Sequence, residues 1–160
     1  MSTRATIVLK IRDNDIGKSI KIDPSIITNE KDKINAYNKK CKSILLDAPY
    51  IEIYFHWDGY PDGLGKELYC NFRDYDKVLN LILGGDVSFI NNNEVGHYCI
   101  MNDDESFEEN KPKTYKDCPS VEEDYEYLFK DGVWYVRGSH KYEDFIPLED
   151  VFASEVFEEK

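Results

Sequence analysis

Apolar and polar residues alternate over several short segments, which is the pattern of strands with one buried face. Residues 4–12 (RATIVLKIR) alternate in this way, and residues 19–23 (SIKID) do so again after a polar turn. We therefore predict a hairpin between these two segments. Residues 50–57 (YIEIYFHW) are rich in β-branched and aromatic residues and predict a further strand, as do residues 97–101 (HYCIM).

A second hairpin is predicted near the C-terminus. Residues 125–137 (YEYLFKDGVWYVR) form two aromatic, alternating runs on either side of Asp131-Gly132. This dipeptide suits a two-residue type I′ turn, in which both residues need a positive φ and glycine adopts it without strain. We expect this hairpin to belong to the main sheet, with Trp134 at least half buried.

Apolar residues at helical spacing predict four helices. Pro61 suits a first helical position, Asp74 suits an N-cap, and Gly84-Gly85 is a typical helix end. The predicted helices cover residues 29–47, 61–72, 75–83 and 147–157. Together with the strands they predict a single-domain α+β fold over residues 1–160, with an antiparallel sheet and three or four short helices.

Charge is distributed unevenly along the chain. The 160 residues include 32 acidic and 20 basic side chains, a formal net charge of −12. Residues 101–160 alone hold 18 acidic and 7 basic residues, a net charge of −11, and residues 102–123 lack periodicity and read as an acidic surface loop. This balance argues against general nucleic-acid binding, which needs basic residues to neutralise phosphates.

Targeting signals and metal motifs are both absent from the sequence. No apolar run approaches the roughly 20 residues of a membrane span, and the N-terminus lacks a signal-peptide pattern, so we expect a cytoplasmic protein. Zinc sites usually pair their ligands at short spacing, whereas the cysteines and histidines here are scattered. We therefore expect reduced thiols and no cofactor; these residues are Cys41, Cys70, Cys99, Cys118, His56, His97 and His140.

One strand-to-helix junction concentrates side chains that can carry chemistry. In residues 56–66 (HWDGYPDGLGK) the candidate binding residues are His56, Trp57, Asp58, Tyr60 and Asp62. A phosphate loop is excluded, because five residues rather than four separate Gly59 from Gly65, and Glu67 stands where Ser or Thr is needed.

Three roles remain open for this junction. His56, Asp58 and Asp62 suit a weak divalent-metal site, and His56 with Asp58 as its orienting group suits general acid–base catalysis. The third role is purely structural, because Asp-Gly and Pro-Asp-Gly are typical turn sequences and the aromatic rings suit a core. We favour the structural role and predict no catalytic residue and no tightly bound metal.

Four segments resemble a known group of proteins when taken in order. RATIVL, YFHWDGYPDGLGKEL, VLNLILGGDVSFI and YLFKDGVWYV are similar to segments of small proteins encoded by phages and prophages, a group without an established activity. In members of this group the first strand is followed almost directly by the second. The resemblance therefore implies that residues 13–49 are an insertion. The resemblance implies that residues 4–12 pair with residues 50–57, and it implies an accessory role against host systems.

The leading functional hypothesis is a binding protein that occupies and inhibits a host defence protein with a basic surface. Its acidic residues would imitate the charge of nucleic acid, and direct contact with nucleic acid is not expected. The candidate acidic surface consists of Asp103, Asp104, Glu105, Glu108, Glu109, Glu122, Glu123 and Asp124.

The alternative is a protein that sequesters a small molecule or nucleotide signal by stacking it on aromatic rings. An apolar pocket with an Arg or Lys beside residues 56–60 would indicate that function. A small metal-dependent enzyme is the least favoured of the three.

Overall fold

The computed structural model describes residues 3–120, 123–138 and 142–158. Its strands are β1 (Ala5–Lys10), β2 (Ser19–Ile20), β3 (Ile44–Leu45), β4 (Tyr50–Phe55), β5 (Val87–Asn91), β6 (Glu94–His97), β7 (Lys113–Tyr115), β8 (Tyr125–Lys130), β9 (Val133–Gly138) and β10 (Tyr142–Pro147). Eight of these form one sheet in the order β10-β9-β8-β1-β4-β5-β6, with β7 paired to β4, and β2 pairs with β3 separately.

The helices pack around this sheet. Within the described residues they are α1 (Lys31–Lys40), α2 (Lys66–Asn71), α3 (Tyr75–Leu83), α4 (Tyr98–Met101), α5 (Phe107–Asn110) and α6 (Leu148–Glu158). A π-helical turn, Pro61–Gly65, leads into α2. The mixed content confirms the α+β class, with six α-helices where three or four were predicted. None of the described helices is long and apolar enough to cross a bilayer.

Strand β1 lies at the centre of the sheet. It pairs antiparallel with β4, where Ile7 lies opposite Ile53, which confirms the pairing of residues 4–12 with residues 50–57. On its other side β1 runs parallel to β8, and β4 also runs parallel to β5. The sheet is therefore mixed rather than wholly antiparallel, because α2 and α3 supply the long crossover that a parallel pair such as β4–β5 needs.

The C-terminal hairpin is confirmed. Asp131 has a φ of 51° and Gly132 a φ of 81°, as a type I′ turn requires. Phe129 lies opposite Trp134 across the β8–β9 pair. Trp134 is 5% exposed, and its indole Nε1–H donates to the carbonyl oxygen of Phe72 over 2.7 Å. The hairpin thus ties the sheet to the end of α2.

We expect Gly132→Val to lower the free energy of unfolding by about 1–3 kcal/mol, because a β-branched residue resists positive φ. A Cβ at Gly132 would meet no atom within 4 Å, so the loss isolates backbone strain from steric overlap. Urea denaturation measures it. The matched control Asp131→Asn, which tolerates positive φ, should unfold within about 0.5 kcal/mol of the parent. An unchanged midpoint for Gly132→Val would contradict the type I′ turn.

The predictions for residues 13–49 were partly wrong. Helix α1 ends at Lys40 instead of continuing to residue 47, and β2 pairs with β3 instead of forming a hairpin with β1. The physical reason is that buried and exposed side chains alternate after Cys41. Ile44 and Leu46 are 9% and 0% exposed, whereas Leu45 between them is 52% exposed, and this alternation is that of a strand.

Two further predictions were wrong in part. The strand predicted over residues 97–101 ends at His97, and α4 takes up the remainder. The predicted loop of residues 102–123 contains α5, which Ser106 caps by accepting the N–H of Glu109 over 3.1 Å, and β7, in which Lys113 lies opposite Glu52. A hairpin that was not predicted joins β5 to β6 through Asn92 and Asn93, both at positive φ.

A single cluster of buried apolar residues joins the elements of the fold. It includes residues of segment 13–49, among them Ile22, Tyr37 and Leu46. It also includes residues of the main sheet such as Ile7 and Phe55. The segment 13–49 therefore packs into the same core as the sheet.

Candidate functional site

The segment His56–Tyr60, called here the HWDGY turn, follows directly from the end of β4. The backbone N–H of His56 donates to Val87 over 3.1 Å and that of Trp57 donates to Ser88 over 3.0 Å, so the chain continues along β5. Asp58 then turns it with a φ of 61°. The turn leaves Trp57 48% exposed and Tyr60 40% exposed. These rings are therefore surface groups rather than the core residues that a structural role would suggest.

Backbone contacts hold the turn in place. The N–H of Gly59 donates to Thr3 over 2.8 Å, and the Tyr127 hydroxyl donates to the carbonyl oxygen of Gly59 over 2.7 Å. A Cβ at Gly59 would come within 2.9 Å of Ala5, so the close approach to β1 requires glycine. The exposed rings thus stand on a support fixed to β1 and β8.

His56 is held by an aromatic partner that the sequence did not reveal. Its Nδ1 lies 2.5 Å from the hydroxyl of Tyr98, and its ring stacks on Trp57 with centroids 4.4 Å apart. The described residues show no hydrogen bond between His56 and Asp58. The acid–base pair considered for this turn is therefore not formed in this structure.

The carboxylates in and beside the HWDGY turn do not form a metal site within the described residues. Asp62 lies 3.1 Å from the ammonium of Lys66, its partner at i, i+4. In the part of the chain that the structure describes, no group of three or more His, Cys, Asp or Glu side chains is placed to hold a metal ion.

A groove of about 410 Å³ lies beside the HWDGY turn and is called here the aromatic–acidic groove. Its described lining includes no Lys or Arg, so its walls suit a cation and not an anion. The pocket that a nucleotide signal would need is therefore not found beside this turn. The lining includes the aromatic rings of Trp57, Tyr60 and Phe89 and the carboxylates of Asp58, Asp62 and Glu67.

Two apolar side chains lie between the aromatic–acidic groove and the acidic residues that follow α4. Phe89, at the groove, and Met101, at the end of α4, both lie against Gly96, where an added Cβ would overlap their side chains. Met101 is 47% exposed. The chain passes from Met101 into the acidic residues that follow α4. The half-buried Phe89 and the exposed Met101 therefore lie between the groove and the acidic residues that follow α4.

The acidic residues after α4 are mostly exposed, although several have partners. Asp103, Asp104, Glu108 and Glu109 are exposed, and Glu105 is half-buried. The ammonium of Lys40 lies 3.5 Å from Asp103, that of Lys111 pairs with Glu108 over 2.5 Å, and the amide of Asn110 donates to Glu105 over 3.0 Å. The Lys111 ammonium also holds the pKa of the Glu108 carboxyl below its ordinary value.

The second acidic group lies at the start of β8. Asp124 is exposed and accepts the backbone N–H of Arg4 over 3.0 Å, Glu123 is half-buried, and Glu122 lies outside the described residues. Burial raises the pKa of Tyr54, with a smaller contribution from the charge of Glu123.

Asp86 is a half-buried carboxyl beside β4 that the sequence did not single out. Its Oδ1 accepts the N–H of Tyr54 over 2.9 Å. Burial, with a small contribution from the charge of Glu105, raises the pKa of the Asp86 carboxyl to about 6, although the hydrogen bond from Tyr54 and the charge of Lys113 oppose the rise. No local motif marks Asp86, because its hydrogen-bond partner Tyr54 lies 32 residues away in sequence.

Comparison with protein-family models, with curated proteins and with solved structures gave no match to this chain.

Proposed function

We propose that this chain is a binding protein that occupies a basic surface of another protein and thereby inhibits it. The observation that supports this most directly is the pair of exposed rings, Trp57 and Tyr60, above a groove lined by three carboxylates. The resemblance to phage-encoded proteins favours a host protein, such as a defence protein, as the partner.

The groove has the chemistry of a contact centre for a cationic side chain. Tryptophan and tyrosine dominate the energetics of many interfaces, since they bury much area with few rotatable bonds. An arginine of the partner would lie over the face of Trp57 or Tyr60 while its guanidinium pairs with Asp58 or Glu67. The clamped backbone at Gly59 favours binding, because the chain that carries the two rings is fixed before the partner arrives.

The exposed acidic residues after α4 supply the long-range attraction in this proposal. Exposed carboxylates such as Asp104 and Glu109 raise the rate of encounter with a basic surface, as the phosphates of nucleic acid would. Their effect is screened within about 8–10 Å at physiological salt. Affinity therefore comes mainly from the groove, and salt-dependent association comes from the acidic residues.

We expect the double substitution Trp57→Ala and Tyr60→Ala to remove about 2 kcal/mol or more of binding free energy, roughly a 30-fold loss of affinity. The parent and the variant, immobilised in parallel, are used to capture proteins from a bacterial lysate. Proteins that the parent enriches and the variant does not are then purified, and their binding is measured by surface plasmon resonance.

The matched control is Ile16→Ala, which shortens an apolar residue that is 37% exposed on a different segment. It should retain the captured protein with unchanged affinity. Added NaCl should slow association of the purified partner more than it speeds dissociation. A partner that binds the parent and the double variant equally would overturn the groove as the contact centre.

A further inference from the structure

A second groove lies at the carboxyl end of β1, whereas the HWDGY turn lies near its amino end, and its lining includes basic residues that the aromatic–acidic groove lacks. It has a volume of about 630 Å³ and lies between the end of β1, the β8–β9 turn and the start of α3. Ligand pockets for small molecules commonly fall between about 300 and 1,000 Å³. We call it the basic groove, because four cationic side chains line it: Lys10, Arg12, Arg73 and Lys130.

Within the described residues none of these four cations forms an ion pair within 4.0 Å, although Asp13, Asp74 and Asp131 line the same groove. The ion pairs within 4.0 Å in the described part of the chain involve other basic residues, namely Lys18, Lys33, Lys40, Lys66, Lys111 and Arg137. In a chain with a net charge of −12, unpaired cations gathered around one concavity mark a place where an anion is attracted.

Aromatic rings hold the two guanidinium groups in position. The guanidinium carbon of Arg12 lies 3.9 Å from the centroid of the Tyr75 ring, and the backbone N–H of Arg12 donates to the Tyr75 hydroxyl over 3.1 Å. The guanidinium carbon of Arg73 lies 4.6 Å from the centroid of the Tyr69 ring, and its Nη1 donates to the Tyr69 carbonyl oxygen over 3.2 Å. Stacking of this kind leaves N–H edges for phosphate oxygens and lowers the entropy lost on binding.

Three carboxylates at the same groove limit the kind of anion. Asp74 is committed to the N-cap of α3, where it accepts the N–H of Lys77 over 2.8 Å, and Asp13 and Asp131 also line the groove. A long polyanion such as nucleic acid would be repelled by them and by the net charge of the chain. A carboxylate beside a phosphate site can instead accept a hydrogen bond from a sugar hydroxyl, as it does in dinucleotide-binding folds.

We infer that the basic groove binds a phosphorylated small molecule of nucleotide size, with Arg12 and Arg73 holding its phosphates. The inference goes beyond the proposed function and shares no residue with the aromatic–acidic groove. The two can therefore fail separately.

Isothermal titration calorimetry of the full chain with ATP, and separately with pyrophosphate, tests the inference. We expect ATP to bind more tightly than pyrophosphate, and we expect Arg12→Gln and Arg73→Gln each to weaken ATP by about tenfold or more. The matched control Lys33→Gln removes the same charge from an ion-paired lysine outside the groove and should change the affinity by less than about twofold.

Three results would overturn the inference. The first is the absence of detectable ATP binding at about 1 mM. The second is an equal loss of affinity in Lys33→Gln and in the arginine variants, which would indicate general charge attraction. The third is tighter binding of a single-stranded oligonucleotide than of ATP, which would indicate a polymer. Circular dichroism melts of each variant confirm that the exposed substitutions leave the fold intact.

Discussion

Replacing His97 with leucine should lower the free energy of unfolding by about 3–5 kcal/mol, because it leaves two buried polar groups without partners. The imidazole is 0% exposed. Its Nε2 lies 2.7 Å from the carbonyl oxygen of Leu81, which only accepts, so Nε2 carries the proton. Its Nδ1 then accepts from the Tyr37 hydroxyl over 2.7 Å. One neutral side chain thus joins α1, α3 and β6.

The same residue should make the protein sensitive to acid. Burial lowers the pKa of His97 to about 4, below its ordinary value of 6.5. Between these values the unfolded chain binds a proton that the folded chain does not. Stability therefore falls as the pH falls from about 6.5 to about 4, by at most about 1.4 kcal/mol per pH unit.

Asp86 acts in the opposite direction over part of this range. Its folded pKa of about 6 lies above that of an exposed carboxyl, so its protonation favours the fold as the pH falls through 6. The pH dependence of the parent is then flattened. The free energy of unfolding of His97→Leu is subtracted from that of the parent at each pH. The difference removes the contribution of Asp86 and leaves that of His97.

Chemical denaturation over this pH range measures both effects. The matched variant Tyr37→Phe removes one of the two hydrogen bonds and should lose about 1–3 kcal/mol. The double variant Tyr37→Phe with His97→Leu should lose less free energy of unfolding than the sum of the two single losses, because the two side chains share a contact. A difference profile that does not change between about pH 6.5 and 4 would contradict a buried neutral imidazole.

The elements that the sequence predicted well are those whose stability is local. Asp74 caps α3 within three residues, and Asp131-Gly132 forms its turn from its own φ preferences. In both cases a short stretch of sequence carries the information. The β1–β4 pairing is not local, and it was predicted from the resemblance to phage proteins together with the apolar content of both strands.

The elements that were mispredicted depend on distant contacts. Tyr98–Met101 has strand-forming residues and yet is helical, in a position where Cys99 is 0% exposed and lies 4.0 Å, sulfur to sulfur, from Cys41. Tyr37 and His97 meet across 60 residues of sequence. Tertiary packing of this kind overrides local propensity and leaves no spacing motif to read.

The candidate site shows the same division. The composition of the HWDGY turn identified Trp57 and Tyr60 as notable, but their exposure follows from the positive φ of Asp58 and from the clamp on Gly59. The basic groove combines residues from β1, the β8–β9 turn and the start of α3. Nothing in the sequence brings Arg12, Arg73 and Lys130 together before the sheet order is known.

The largest electrostatic effect is expected at the one buried ion pair that the described residues contain. Glu126 is 0% exposed, and its Oε2 accepts from the Nε–H of Arg137 over 2.8 Å. The other oxygen, Oε1, has no hydrogen-bond partner within the described part of the chain. Burial raises the pKa of Glu126, and the Arg137 charge opposes that rise. Arg137 therefore offsets part of the cost of burying this carboxylate.

We expect Arg137→Met to lower the free energy of unfolding by about 3–5 kcal/mol at neutral pH, because it leaves a buried carboxylate without a counter-charge. The guanidinium also donates to the Pro119 carbonyl oxygen over 2.6 Å and lies 4.2 Å from the Phe145 ring centroid, so part of the loss is independent of charge. The double variant with Glu126→Gln separates the two parts. It should recover about half of the loss or more, since no buried charge remains.

The pH dependence of Arg137→Met provides a second and independent measure. Without the arginine, the folded pKa of Glu126 rises further above that of the unfolded chain, so the folded state binds a proton more readily. The destabilisation should therefore shrink as the pH falls from about 7 towards 4, while the Glu126→Gln double variant should show no such recovery. Urea denaturation at both pH values measures the free energy of unfolding of the single and double variants. Equal losses in the single and double variants, unchanged by pH, would show that Arg137 stabilises the sheet through packing on Phe145 and the Pro119 carbonyl rather than through its charge.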